Sequence, residues 1–262
     1  MPIDLLPSRS ADAADRVSAD RETGDGVTAN GVSDGMSDDR AQVDGHRVAS
    51  VATEVLEVLL EHAEHDTVAS SDELVRRIPV TAVAIDAAVR HLVDDGTVVV
   101  HGDGLALSQP GRRRATDVVR RHRLTERLLS DVIGLEWWKV HHEAERWVGV
   151  VSDDVEQRLL ELLGDPGTCP HGNPIPGSSN RPDQHREIAL ADAQPGPVRV
   201  VRITETLEGD DEALQLLQNC GFLPDRDAEV QRIDDGWVLV AGSVQDAALP
   251  PHVAAHTYVE PF

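Results

Sequence analysis

Apolar positions settle into a helical rhythm near His46. Val51, Val55, Val58 and Leu59 recur three and four apart and predict a first helix. Ser70 or Ser71 is placed to cap a second, short helix carrying Leu74 and Val75. After Pro79 a third helix sets Ile85, Ala88, Val89 and Leu92 on one face and stops at Asp95-Gly96, where glycine permits a left-handed exit. Val98 to Val100, the turn His101-Gly102-Asp103-Gly104 and Leu105 to Leu107 read as a hairpin. Three helices and a two-stranded ribbon make a winged helix-turn-helix over residues 46–111, whose third helix is the usual groove reader.

Beyond it a long helix is predicted from Arg112 to about Val132, a second around Trp137 to Val148, and a third that buries Val155, Leu159 and Leu162. This block, 112–177, suits a dimerisation unit, because a small reader needs a partner to span two half-sites. It ends in Cys169-Pro170-His171-Gly172-Asn173-Pro174-Ile175-Pro176-Gly177, which cannot be helical. Residues 178–187 read as a polar, mobile linker. From Ile188 the spacing becomes strand-like: Val198 to Ile203, Ala228 to Ile233, Trp237 to Ala241 and His256 to Glu260, with a short helix at Asp211 to Gln218. The fold class is therefore mainly α with small β: a winged helix-turn-helix, a helical dimerisation domain and a C-terminal SH3-like (FeoA-like) barrel at 188–262.

Residues 1–45 lack both an apolar period and any aromatic residue, which predicts a disordered acidic tail with Met36 as an alternative start. The chain of 262 residues has a net charge of -23, and its basic residues are almost all arginine, with lysine only at Lys139. That balance suits solubility in a high-salt cytoplasm and predicts a halophilic source. Cys169 and Cys220 have no paired spacing, which argues against a disulfide scaffold or zinc ribbon. No apolar run approaches the roughly 18 residues of a membrane span, and the predicted location is cytoplasmic.

His122 and Glu126 lie four apart, as do His141 and Glu145, so each pair shares a helix face and presents mixed imidazole and carboxylate donors suited to a divalent transition metal. Such pairs also occur as plain surface ion pairs. Cys169 and His171, two apart in a proline-rich turn, more often pack than ligate, and Cys169→Ser is expected to leave metal affinity unchanged. His142 and Glu143 are expected to face a neighbouring helix or solvent.

The runs Arg121-His122-Arg123-Leu124-Thr125-Glu126-Arg127-Leu128-Leu129, Gly134-Leu135-Glu136-Trp137, Val140-His141-His142-Glu143-Ala144 and Gly172 to Gly177 together resemble the diphtheria toxin repressor family of metal-dependent transcriptional regulators, over roughly residues 46–262. The resemblance implies an ancillary metal site of His122, Glu126, His141, Glu205 and Glu208. Its net charge would be about -1 around a divalent ion. At the family's primary site the chain offers Glu145 but has Val148 and Gly149 where relatives carry ligands, leaving Glu54 and Glu145 as a carboxylate pair. In the reader helix Thr81 matches a capping serine that touches DNA. Ala87 replaces a base-reading glutamine, and Asp86 stands at a phosphate-contacting position. Arg90, Arg112, Arg113 and Arg114 are the remaining candidates for phosphate contact.

The implied function is a homodimeric regulator, expected to repress iron or manganese homeostasis genes on a double-stranded DNA operator, with Fe2+ or Mn2+ as effector and no membrane partner. The alternative is a paralogue that buffers metal or binds protein without operator recognition. An enzyme is not expected, since no nucleophile has an adjacent base and no glycine loop suits phosphate.

Overall fold

The computed structural model describes residues 51–63, 67–78, 80–182 and 186–262. The predicted tail at 1–45, its alternative start at Met36 and part of the predicted linker, residues 183–185, lie outside the described residues. The first helix, α1 (51–63), buries Val51, Val55, Leu56, Val58 and Leu59. Helix α2 (Ser71–Arg77) is capped by Ser70, whose hydroxyl accepts from the Glu73 amide at 3.1 Å. Helix α3 (Ala82–Asp94) starts on Thr81 and ends through Asp95 and Gly96, where φ is +76°. Strands β1 (Val98–His101) and β2 (Gly104–Leu107) pair antiparallel in the predicted hairpin. One apolar core joins these elements to the start of helix α4 (Gln109–Arg127).

Helix α4 begins three residues before the predicted Arg112, because the Ser108 hydroxyl caps it by accepting from the Gly111 amide at 3.0 Å. A Cβ at Gly111 would stand 1.9 Å from the Thr97 carbonyl, so only glycine lets α4 sit this close to the wing. After Arg127 the helix widens into a π turn, Leu128–Ile133, which Gly134 closes at φ +77°. Helices α5 (Val140–Val148) and α6 (Asp153–Leu163) follow. Leu159 is buried as predicted, but Val155 and Leu162 are 46% and 61% exposed. They share that exposure with Val132, Ile133 and Val150, while α6 packs through Leu159, Leu160 and Leu163 against Leu124 and Ile175.

Six antiparallel strands form the C-terminal sheet in the order β3-β8-β4-β5-β6-β7: β3 is Ile188–Ala189, β4 Gly196–Ile203, β5 Asp227–Arg232, β6 Val238–Ala241, β7 Asp246–Leu249 and β8 Thr257–Pro261. Only four strands were predicted. Strand β3 has two residues, and β7 buries Leu249 alone, so neither carries a readable alternation. Helices α7 (Glu205–Glu208), α8 (Asp211–Cys220) and α9 (Pro251–Ala255) close over Phe222, Leu214, Leu217 and Val200, all at 0% exposure. The predicted mainly helical class with a small C-terminal β unit holds.

Candidate metal centre

Helix α4 turns both His122 and Glu126 inward, and α5 brings His141 against them. Helix α7 supplies Glu208, and the turn before the sheet supplies His171. His122 Nε2 lies 3.1 Å from His141 Nδ1, while Glu126 Oε1 is 3.4 Å from His122 Nε2 and 3.3 Å from both His141 Nδ1 and His171 Nδ1. Glu208 Oε2 stands 2.9 Å from His141 Nδ1 and 3.4 Å from His171 Nδ1. A divalent ion with bonds of about 2.1 Å holds neighbouring donors about 3.0–3.4 Å apart, so these side chains already have a ligand shell's spacing. Neither ring nitrogen of His171 nor Glu126 Oε2 has a hydrogen-bond partner, although all are buried. Buried polar atoms left over in this way need a partner, and a cation beside the carboxylates would serve Glu126 and the Nδ1 edge of His171.

Sequence spacing favours packing over ligation for His171 and Cys169. Cys169, His171 and Glu126 offer ligand atoms within 4.8 Å of one another, as do His122, Glu126 and His141. The packing expected for the Cys169–His171 turn is present, yet it points both side chains at the cluster. A Cβ at Gly172 would lie 2.1 Å from the Val201 carbonyl, so the turn presses directly on β4, where the Ile203 amide donates to the His171 carbonyl at 2.8 Å. The Trp137 indole donates to the Pro170 carbonyl at 2.9 Å and stacks tilted on the His171 ring, centroids 4.6 Å apart. Asn173 donates both to the Ile203 carbonyl and to Glu208, tying the turn to α7.

Glu205 departs from the expected set. Its carboxylate is taken by the Arg123 guanidinium, which also donates to the Pro174 carbonyl. Burial works against ionisation of Glu205, but Arg123 outweighs it and holds the carboxyl below its usual range. Glu54 and Glu145 lie on the other side of His141, where with Glu57 and His142 they line a cavity of about 40 Å³. There Glu145 receives His141 Nε2 at 3.3 Å and His142 Nδ1 at 3.2 Å. Burial, then the neighbouring Glu145 and Glu57, pushes Glu54 up to about 7. Burial likewise raises Glu57 to about 7, with His122 opposing it and Glu205 adding to it. His122 shows the reverse balance: burial disfavours its charge, yet Glu57 and Glu126 raise it to about 9. Besides Glu145, His142 reaches Asp211 at 3.3 Å, so it faces a neighbouring helix as expected, and Glu143 bonds Arg146 and Trp147.

On the reader, Thr81 accepts from the Ala84 amide at 3.3 Å. Arg90 pairs with Asp86 at 2.5 Å, so the unfavourable aspartate is neutralised within its own helix. Arg114 bonds Asp95 and Thr97 at 2.6 and 3.0 Å, and Arg112 donates to the Ala63 carbonyl at 3.1 Å. Arg113 is exposed without a side-chain partner among the described residues.

Residues 108–177 match the family described as iron dependent repressor, metal binding and dimerisation domain. The chain is 37% identical over 194 residues to the iron-dependent repressor IdeR of Mycobacterium tuberculosis, covering 70% of this chain and 84% of that protein. It is 36% identical over 217 residues to the diphtheria toxin repressor of Corynebacterium diphtheriae, covering 77% and 92%. Among solved structures it resembles a manganese-dependent transcriptional repressor in complex with manganese, with a TM-score of 0.67 at 29% identity over 80% of this chain and all of that one. With the winged helix, the inward-facing histidines and carboxylates and these likenesses together, the chain belongs to the diphtheria toxin repressor family of iron-dependent repressors.

Proposed function

We propose that the chain is a metal-dependent, DNA-binding transcriptional repressor of iron or manganese homeostasis genes. The observation that carries this reading is the convergence of His122 and Glu126 from α4, His141 from α5, His171 from the turn and Glu208 from α7 on one buried point. Bound Fe2+ or Mn2+ supplies the positive charge that point lacks, with imidazole and carboxylate donors that suit such ions. His122, Glu126 and Glu208 then hold α7 and the turn against α4, the helix that runs from the wing into the metal centre. This favours one placement of the reader, provided that placement binds metal more tightly than the others.

Helix α3 enters the major groove, with Thr81 and Arg113 beside the phosphates. The exposed apolar residues Val132, Ile133, Val150, Val155 and Leu162 form the surface on which two copies pair, and the dimer acts in the cytoplasm, where its operator lies. No described helix is long and apolar enough to cross a membrane. The buffering alternative has less support, because Arg90 neutralises the aspartate that would have repelled phosphate. Chromatin immunoprecipitation of the tagged chain with and without iron or manganese tests the reading. Metal-dependent occupancy upstream of transport genes is expected, and no occupancy in either condition would overturn it.

A further inference from the structure

We propose that the cavity between the reader and the C-terminal unit binds a small zwitterion with one carboxylate and one ammonium group, the chemistry of a free amino acid. The cavity measures about 440 Å³, within the range of small-molecule sites. One wall is formed by the end of α1 and by α2, the other by the start of α7, the end of α9 and β8. None of the five side chains of the metal centre lines it. A ligand held there bridges the two units and is an effector in addition to the metal.

Charge balance selects the ligand. The lining holds two guanidinium groups, Arg76 and Arg77, and two carboxylates, Glu61 and Glu73, so with neutral histidines it has no net charge. A bare anion there meets two carboxylates and a bare cation meets two guanidinium groups, whereas a ligand with one group of each sign finds a partner for both. Arg77 serves the carboxylates, bonding Glu61 at 2.5 Å and standing 3.8 Å from Glu73 Oε1. His62 Nε2 lies 2.9 Å from that same oxygen, which leaves Glu73 Oε2 to accept from an ammonium group. Arg76 has no side-chain partner among the described residues, and neither do the hydroxyls of Thr206 and Tyr258. Arg202 lies over the Tyr258 ring, 4.0 Å from its centroid, and steadies it. Burial and then Arg77 hold His256 below its usual range, and its Nδ1 lies 3.0 Å from the Thr204 hydroxyl. With that hydroxyl donating to Nδ1, the ring proton sits on Nε2, a further donor for a carboxylate. The groups left over on the lining are thus mostly donors, with one carboxylate oxygen among them, as a bound amino acid requires.

Calorimetry on the metal-free full chain tests the site, with the common L-amino acids, acetate and methylamine as probes. At least one amino acid is expected to bind saturably, and acetate and methylamine, each carrying one half of the charge pair, about tenfold or more weaker. Arg76 is exposed on α2, so Arg76→Ala should fold as the unaltered chain does, weaken the amino acid about tenfold or more, and tighten methylamine. Glu73→Gln should weaken the amino acid as well but tighten acetate, a change of preference that mere loosening of the fold would not produce. Tyr258→Phe should cost about fivefold. No saturable binding of any amino acid at millimolar concentration would overturn the proposal. So would acetate binding as tightly as the amino acids, or an amino-acid affinity unchanged in both Arg76→Ala and Glu73→Gln. Because no metal is present, each of these results is independent of whether the metal centre is correctly read.

Discussion

On one side of the His122–His141 pair stand Glu126, Glu208 and His171; on the other stand Glu54, Glu57 and Glu145. The first group points imidazole nitrogens and carboxylate oxygens at a common point, and histidines hold Glu126 well below its ordinary range despite its burial. The second group is carboxylate-rich, and Glu54 and Glu57 are pushed up by burial and by acidic neighbours. Its oxygens face the backs of the histidines that serve the first group. The difference teaches that similar residues four apart on neighbouring helices can be set to separate work, and we propose the first group as the binding layer and the second as the orienting layer.

The largest effect that would break this comparison comes from the binding layer. His141→Ala and Glu126→Ala should each lower Mn2+ affinity by about 100-fold or more, since each removes a donor and leaves buried polar groups behind. Calorimetry showing unchanged affinity in either would dissolve the layer. His171→Ala should cost about tenfold or more by the same measurement. Against the sequence expectation, Cys169→Ser should cost a few-fold, more for Co2+ than for Mn2+, because a softer thiol ligand is lost. An unchanged Co2+ affinity would return Cys169 to a packing role.

The orienting layer gives the opposite sign. Between about pH 4.5 and 7 folded Glu54 keeps a proton that the unfolded chain has released, so metal-free stability falls as pH rises through that window and stays lower above it. Glu54→Gln should therefore stabilise the metal-free protein at pH 8 by about 1–2 kcal/mol and leave it unchanged at pH 4. Melting curves that show destabilisation at pH 8 would mean that Glu54 is ion-paired instead of repelled. The smallest effects lie on the reader. Arg113→Ala should lower the log–log salt slope of DNA binding by about 1 without changing stability, whereas Arg114→Ala should lose about 0.5–1 kcal/mol of stability along with its bonds to Asp95 and Thr97. Equal slopes for the two variants would remove that distinction.

Much of the fold was legible because its signals are local. Thr81 and Gly96 bracket α3, and the hairpin follows from valines and leucines around a glycine turn. The π turn after Arg127 was not, since Leu128 and Leu129 continue an ordinary helical pattern and only the left-handed Gly134 marks the exit. At the site, His122, Glu126 and His141 show themselves by helical spacing. His171 does not, because its place depends on Gly172 pressing on β4 and on Trp137 stacking on it, contacts between residues far apart in the chain. The available clue was a histidine and a cysteine inside a turn stiffened by Pro170, Pro174 and Pro176. Glu205 is legible in a different way. Its spacing from Glu208 suits a shared ion, but Arg123, beside His122 in the sequence, claims its carboxylate.

Anomalous diffraction from crystals of the full chain loaded with Mn2+ tests most directly which layer binds. A peak within bonding distance of His122 Nε2, His141 Nδ1, Glu126 and Glu208, on the side where His171 stands, is the result expected. A peak between Glu54 and Glu145, with none on the His171 side, would contradict it.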